Sequence, residues 1–498
     1  MTSYFERFFR VHPVKTRRAL QMLPGIFSWT MILLPVWGSL LIPLQITYFI
    51  LAFDVFFFTR SISLVLTSYK ASKKIHEAEA VDWLSKARES SDFEKLVQVV
   101  VLPNYQENMT KLRRLIQTLA NQTFPKSKMY VVLAMEKREK DAKLKAETLL
   151  LEFQNIFGGL YVTFHPDIIG EVKGKSSNEA YGGKWINRKL FAGKNKFDIK
   201  IATVTTADAD SSFDPQYFSY LANSFLTDEK RYNRFWQSAN VDHNNFWTVP
   251  APSRVLSFFS SLWRTGLLVQ GDRLIATSTY SLSFELLKKI GFWDTDVIPE
   301  DYRVFFKAFY KMRGDVSAVP IFLKTSMDAP LSSTYFKSLK NKYQQQRRWS
   351  YGASDDPLFI EWWLTVPGVP FMRKTKMLFH VLMDHFLWPV NWFIITISAN
   401  VITLFNPNFA RTSIGYMLPV IARIILTLTI GALLMMIIID YRNRPKHLSK
   451  SKIREILFPL EFVLMPIVGF FLNSLPALIS HTQIMLGRKM EYKVTEKL

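Results

Sequence analysis

From Gly25 to Leu66 the sequence is almost unbroken apolar and aromatic residues, enough for two membrane helices at roughly 20 residues each. A wholly soluble fold cannot hide such a block. Pro43 marks the turn between the two spans. Arg7, Arg10, Lys15, Arg17 and Arg18 precede the block and Lys70, Lys73 and Lys74 follow it, so the positive-inside rule makes it a hairpin with both ends in the cytosol. Asp54 and Arg60 fall in or near the second span, where an ionisable group is costly unless it snorkels or pairs. Arg60 is expected to reach the interface; Asp54 has no evident partner. The basic start lacks a small-residue cleavage site, so it is not read as a signal peptide.

Three further apolar blocks follow at Met377–Phe405, Ile414–Ile439 and Ile456–Leu486. Arg442, Arg444, Lys446, Lys450, Lys452 and Arg454 place the loop between the second and third in the cytosol, and the short Asn406–Ser413 loop outside. The last block is broken by Pro459, Pro466 and Pro476 and ends at the basic Arg488 and Lys489. A single crossing puts that tail outside; a re-entrant or interfacial course keeps it inside. The organisation expected is a cytosolic segment (1–24), a hairpin (25–66), a linker (67–92), a catalytic domain with interfacial helices (93–365) and a membrane region of two to three spans (366–498).

Composition narrows the function classes. There is no cysteine among the 498 residues, which removes disulfides and thiol chemistry and leaves oxygen or imidazole ligands for any metal. The net charge is +22, but the basic residues are dispersed and no nucleic-acid motif accompanies them. Anionic lipid and a diphosphate substrate account for the excess better than nucleic acid does.

Between residues 93 and 365 short apolar runs alternate with charged helical stretches, the pattern of an α/β domain. Val99–Val101, extended by Leu102 and ended by Pro103, reads as a buried parallel strand. Leu112, Leu115, Ile116 and Leu119 give Met109–Ala120 a helical period. Tyr130–Leu133 is a second strand, Lys137–Phe157 a charged helix, and Ile199–Thr205 a third strand leading into Asp208-Ala209-Asp210. Ligands of open α/β sheets bind beyond the carboxyl ends of the strands, where Pro103-Asn104-Tyr105-Gln106-Glu107 and the D-x-D both fall.

Asp208 and Asp210 on a strand-end loop suit a hard cation, Mg²⁺ or Mn²⁺, held against phosphate oxygens; the bland reading is helix capping by Ser211, Ser212 and Asp214 before Pro215. Glu300-Asp301 opens an aromatic helix, Tyr302–Tyr310, and is in isolation a favourable helix start. Gln345-Gln346-Arg347-Arg348-Trp349 offers a guanidinium for phosphate and an indole face for a sugar, or simply a basic helix anchored in lipid.

Taken in order, D-x-D, E-D and Q-x-x-R-W resemble the membrane-embedded family 2 glycosyltransferases, which include the cellulose, chitin and hyaluronan synthases. The resemblance implies a GT-A type, Rossmann-like cytosolic domain inserted between transmembrane helices in the plasma membrane. It implies inverting transfer from a nucleotide-sugar donor, with a UDP-sugar expected, to a glycan or lipid-linked acceptor. Polysaccharide synthesis, non-processive glycolipid synthesis and, against the retained motifs, an inactive scaffold are the alternatives; a partner subunit for translocation stays open. Asp301 is then the base and Glu300 positions it, Asp208 and Asp210 hold the metal, and Gln345 and Arg348 lie at the diphosphate with Trp349 at the acceptor. Tyr105 and Glu107 match the family's P-x-Y-N-E segment except at Gln106. Lys175 and Asn178 match a donor-binding G-K-x-x-A-L-N stretch at shorter spacing. Glu136 stands near where relatives carry an Asp for uracil, and Pro299 replaces a Thr. Tyr280 and Ser281 fall where relatives build the acceptor pocket. His243 reads as a surface loop residue, and His380 and His385, five apart, lack the metal-binding i, i+4 spacing.

Overall fold

The structure is a computed structural model, and it describes residues 7, 9, 11–193, 196–445 and 451–490. Of the basic residues used above, Arg10, Lys446 and Lys450 lie outside the described residues.

The N-terminal block forms two long helices, α1 (Pro13–Leu41) and α2 (Pro43–Glu79). The turn falls at Ile42, and Pro43 takes a first-turn position where its missing N–H costs nothing. Asp54 is buried with neither carboxylate oxygen hydrogen-bonded. Arg60, expected at the interface, is a third exposed and has its Nη2 3.2 Å from Asp384 Oδ1.

The middle of the chain is the expected α/β body. Its strands are β1 (Val97–Asn104), β2 (Met129–Glu136), β3 (Gly159–His165), β4 (Ala202–Thr206), β5 (Ser212–Phe213), β6 (Arg234–Val241), β7 (Tyr280–Ser283) and β8 (Ser317–Ser326). They form one mixed sheet in the order β3-β2-β1-β4-β7-β6-β8-β5. β3, β2, β1 and β4 are parallel; β7 is antiparallel to β4 and β6, and β6 and β8 pair in parallel. All eight residues of β1 are buried, as a strand covered by helices on both faces requires. Helix α3 (Met109–Ala120) lies where its apolar period puts it. The long helix expected at Lys137–Phe157 is shorter, Ala142–Phe153, because residues 137–141 turn beneath the site. The strand into the D-x-D begins at Ala202, after a single 3₁₀ turn at Ile199–Ile201.

The helices that bound the site are α4 (Lys175–Phe191), α5 (Ala251–Leu267), α6 (Glu300–Lys311), α7 (Tyr335–Ser350), α8 (Phe371–Phe405) and α9 (Ser413–Asn443). Among the described residues five helical stretches are long and apolar enough to cross a membrane: α1, α2, α8, α9 and Lys452–Met485. The fifth takes a different course from the others. Its first half, bent through a 3₁₀ stretch at Phe458–Leu464, packs Phe458 and Phe462 on Phe246 and Phe258, and Arg254 holds Glu461 at 2.7 Å. It then meets α8 where the Trp392 indole donates to Pro466 O and that of Trp388 to Asn473 Oδ1, both at 2.8 Å. Its last turns lie on α1, with Ser28 Oγ 3.2 Å from His481 Nδ1 and Trp29 Nε1 3.0 Å from Thr482 Oγ1. Arg347 also reaches Gln483 Oε1 at 2.6 Å. This transverse segment contacts the catalytic body near both ends and α8 and α1 along its course.

Candidate active site

A cavity of about 1310 Å³ runs from the carboxyl ends of β1, β2 and β4 to the groove between α8 and α9. Tyr105, Glu107, Glu136, Lys175, Asn178, Asp208, Asp210, Glu300, Asp301, Arg348 and Trp349 all line it. Residues spread over 245 positions of chain thus share one wall system because the parallel half of the sheet ends at a single edge.

Lys175 is the hub. Gly174 precedes it at φ 154°, a backbone open only to glycine, and so lets α4 begin with its first residue at the cavity. The Lys175 ammonium lies 2.9 Å from Asp208 Oδ1, 2.8 Å from Glu300 Oε1 and 3.7 Å from Glu179 Oε1, and donates to Ser278 O at 2.7 Å. Burial opposes its charge, but Asp208, Glu300 and Glu179 outweigh that and hold its pKa above the ordinary lysine value. Glu179, one helical turn after Lys175, is fully buried; burial drives its pKa up, against the pull of Lys175. Glu300 is likewise pushed up by burial, to about 7.

Asp301 sits in the first turn of α6, where the helix dipole favours its charge. Its Oδ2 accepts the Ser278 N–H and its Oδ1 the Tyr302 N–H, each at 2.9 Å. Burial nonetheless prevails over these hydrogen bonds and raises its pKa above the usual aspartate value. Ser278, at φ 54°, therefore presents its N–H to the E-D motif and its carbonyl to Lys175. A non-glycine residue in this region costs on the order of 1–2 kcal/mol.

The Asp208-Ala209-Asp210 loop is a turn rather than extended, closed by Ser211 N–H on Asp208 O at 2.9 Å. Neither aspartate caps a helix. Asp210 Oδ2 accepts the Asp328 N–H at 3.0 Å, while the Asp208 carboxylate is about a quarter exposed to the cavity. Among the described residues no three His, Cys, Asp or Glu side chains converge as a protein-only metal cage. An all-oxygen pair at a cavity edge does fit a hard cation that completes its shell with phosphate oxygens and water.

At the far end of the cavity the Arg138 guanidinium covers the Tyr105 ring at 3.7 Å and pairs with Glu136. Glu139 accepts from Asn104 Nδ2 at 3.0 Å and from Gln106 N–H at 2.9 Å, fixing Gln106 at φ 59°. Asn178 clamps the same strand ends through Ala134 O at 2.5 Å.

Three expected site residues do not reach the cavity. Gln345 is buried and accepts from Lys342 Nζ at 3.2 Å, and its neighbour Gln346 lines the wall instead. Tyr280 and Ser281 belong to β7 and are fully buried: Tyr280 OH accepts from Trp293 Nε1 at 2.7 Å, and Ser281 Oγ bonds Thr205 and Tyr217. Thr277 and Ser278, just before the strand, take that place. His243 is not on the surface but 2% exposed, 3.8 Å from Asp440.

The sequence did not single out several partners of the site residues. Trp349 rests against Arg264 and Lys342, at 5.3 and 5.6 Å from its ring, and Asp242 holds Arg264 at 3.0 Å. His385 stacks on Tyr302 with centroids 6.0 Å apart and holds Asp356 at 2.7 Å. Glu179 had a legible signal, its i, i+4 spacing from Lys175; the others are joined only by the fold.

Residues 203–439, a little under half of the chain, match the family model described as glycosyl transferase family group 2. No curated protein matches the chain. Among solved structures it is similar to the mannosyltransferase PcManGT from Pyrobaculum calidifontis in complex with GDP-Man and Mn²⁺, at 12% identity over 85% of this chain and 99% of that one, TM-score 0.42. It is also similar to S. aureus TarS 1-349, at 14% identity over 79% and 92%, TM-score 0.37. The matched segment holds the D-x-D, the E-D pair, the Q-x-x-R-W stretch, all of α8 and most of α9, and the chain is a glycosyltransferase with a match to family group 2 over residues 203–439.

Proposed function

We propose that the protein is a membrane-embedded inverting glycosyltransferase that moves a sugar from a nucleotide donor, a UDP-sugar, to an acceptor arriving from the membrane side. One observation carries this reading: a single cavity joins the acidic and basic motifs to a groove between apolar helices. Tyr105, Arg138 and Glu136 form the nucleoside end, and Lys175 and Arg348 face the diphosphate. Asp208 and Asp210 would hold Mg²⁺ or Mn²⁺, which neutralises charge on the leaving diphosphate. Asp301 takes the proton of the acceptor hydroxyl as that oxygen bonds to the anomeric carbon from the side opposite the diphosphate, so configuration inverts. Ser278 and Tyr302 N–H groups fix the carboxylate for that task. Trp349, backed by Arg264 and Lys342, gives the acceptor sugar a stacking face.

The test is turnover of a panel of nucleotide sugars by the full chain in nanodiscs, with product length separating a polymer from a single addition. Asp210→Ala and EDTA are each expected to abolish turnover, with the helical content retained; full activity in EDTA rejects the metal assignment. Trp349→Ala is expected to raise the acceptor KM roughly 2–10-fold, leaving the donor KM in place. The orientation proposed, with the catalytic body in the cytosol and the membrane in question the plasma membrane, has its own check. A protease site within residues 406–413 is expected to be cut from outside intact cells and one within 140–145 not; the reverse pattern inverts the topology.

A further inference from the structure

We propose that the acceptor is a lipid-linked saccharide whose phosphate is bound by Arg60 and Arg273, with its lipid tail in the groove between α8 and α9. This deepens the glycosyl-transfer reading and rests on it.

The first argument is charge. Arg60 Nη2 and Arg273 Nη2 both turn to one oxygen, Asp384 Oδ1, at 3.2 and 2.8 Å. All three residues line the cavity and are only a fifth to a third exposed. Two guanidiniums against one carboxylate leave a positive charge, and Arg273 Nε is buried with no hydrogen-bond partner among the described residues. Guanidinium pairs of this kind match the oxygens of a phosphate. A neutral glycan could accept their hydrogen bonds, but only an anion offsets their charge.

The second argument is position. Asp384 adjoins His385, whose ring stacks on Tyr302, the residue after Asp301. The arginines come from α2 and from the turn at Gly271–Arg273. The strand ends that carry Tyr105, Glu136 and Asp208 lie elsewhere on the wall, so the donor phosphates have their own cations in Lys175 and Arg348.

The third argument is the opening. Ile430 and Leu434 of α9 and Val463 of the transverse segment line the cavity, yet they are 54%, 54% and 79% exposed. A wall that is both cavity lining and outer apolar surface is a sideways mouth at bilayer depth, suited to an acyl or isoprenoid tail. Beyond it Ile395, Leu433 and Ile437 continue the apolar lining.

In the step itself a sugar hydroxyl of the acceptor bonds to the donor's anomeric carbon. The bond from that carbon to the nucleoside diphosphate breaks, its electron pair leaving with the diphosphate, and the proton passes to Asp301. The lipid phosphate is bound and not altered.

The experiment uses the full chain in phosphatidylcholine nanodiscs with two synthetic acceptors, a glycosyl polyprenyl phosphate and an alkyl glycoside of the same sugar without phosphate. The phosphate acceptor is expected to have the lower KM by at least tenfold. Arg60→Gln with Arg273→Gln is expected to bring that ratio toward one with no rise in the donor KM. Asp384→Asn, which leaves both guanidiniums in place and removes their counter-charge, is expected to lower the phosphate acceptor's KM further and stands in if the double variant fails to fold. Equal use of the two acceptors, a rise in donor KM in the double variant, or a phosphate-acceptor KM that Asp384→Asn does not lower overturns the inference. Wild-type protein that turns over no nucleotide sugar overturns the transferase reading as well, whereas turnover without preference for phosphate overturns this inference alone.

Discussion

Asp301→Asn is expected to cut transfer by roughly 10²-fold or more at saturating donor and acceptor, with nucleotide affinity nearly constant. The two carboxylate oxygens accept one N–H each, from Ser278 and Tyr302; the amide oxygen keeps one of these hydrogen bonds in a side chain of the same shape, and the base is lost. The wild-type pH profile sharpens the test. Burial raises the Asp301 pKa, so activity falls as pH drops through a value above the ordinary aspartate pKa of about 3.9. That acid limb is expected to be absent from the residual activity of Asp301→Asn. Near-normal turnover by the variant would remove Asp301 from the mechanism.

Lys175→Met is expected to be the most damaging change to stability. It leaves Asp208, Glu300 and Glu179 facing one another without their shared cation. Breaking a buried ion pair from one side costs about 3–5 kcal/mol, which for a domain of this size lowers Tm by roughly 6–20 °C. The sign of the pH dependence follows from Glu300, whose folded pKa of about 7 exceeds its ordinary value. The stability this group contributes is complete at low pH and lost as pH rises through 7. With Lys175 gone the carboxyl groups bind protons still more readily in the folded state, so the deficit of the variant is expected to be larger at pH 8 than at pH 6. Thermal unfolding in detergent at the two pH values measures it; a deficit independent of pH would mean the carboxylates do not depend on Lys175.

What could be read before folding was whatever repeats locally. Val99–Val101 and the apolar period of Met109–Ala120 announce β1 and α3, and the apolar blocks announce α1, α2, α8 and α9. The antiparallel part of the sheet was hidden. β7 is only four residues long and buried on both faces, so the alternation of Tyr280-Ser281-Leu282-Ser283 misleads, and its polar residues pass for pocket lining when they are satisfied core. Gln345 was misjudged for a related reason. On a helix only some members of a motif face the cavity, and Lys342, three residues earlier, turns Gln345 inward. Ser278 and Glu139 act through backbone conformations at Ser278 itself and at Gln106, which residue type does not disclose. Arg60, Arg273 and Asp384 meet across 324 positions.

The close seat of the transverse segment on α1 bears on how the protein is made. A Cβ at Gly25 would lie 2.5 Å from Met485 Cβ, Arg18 donates to Ile484 O at 3.0 Å, and Ser28 and His481 meet across 453 positions. This face of α1 therefore waits unmatched until nearly all the described chain has been synthesised. During that interval it needs lipid or an insertion factor as a surrogate neighbour. A chain that ends after α9 has every motif in place and α1 already packed on α8 through Phe27 and Phe386, but with its Gly25 and Ser28 face uncovered.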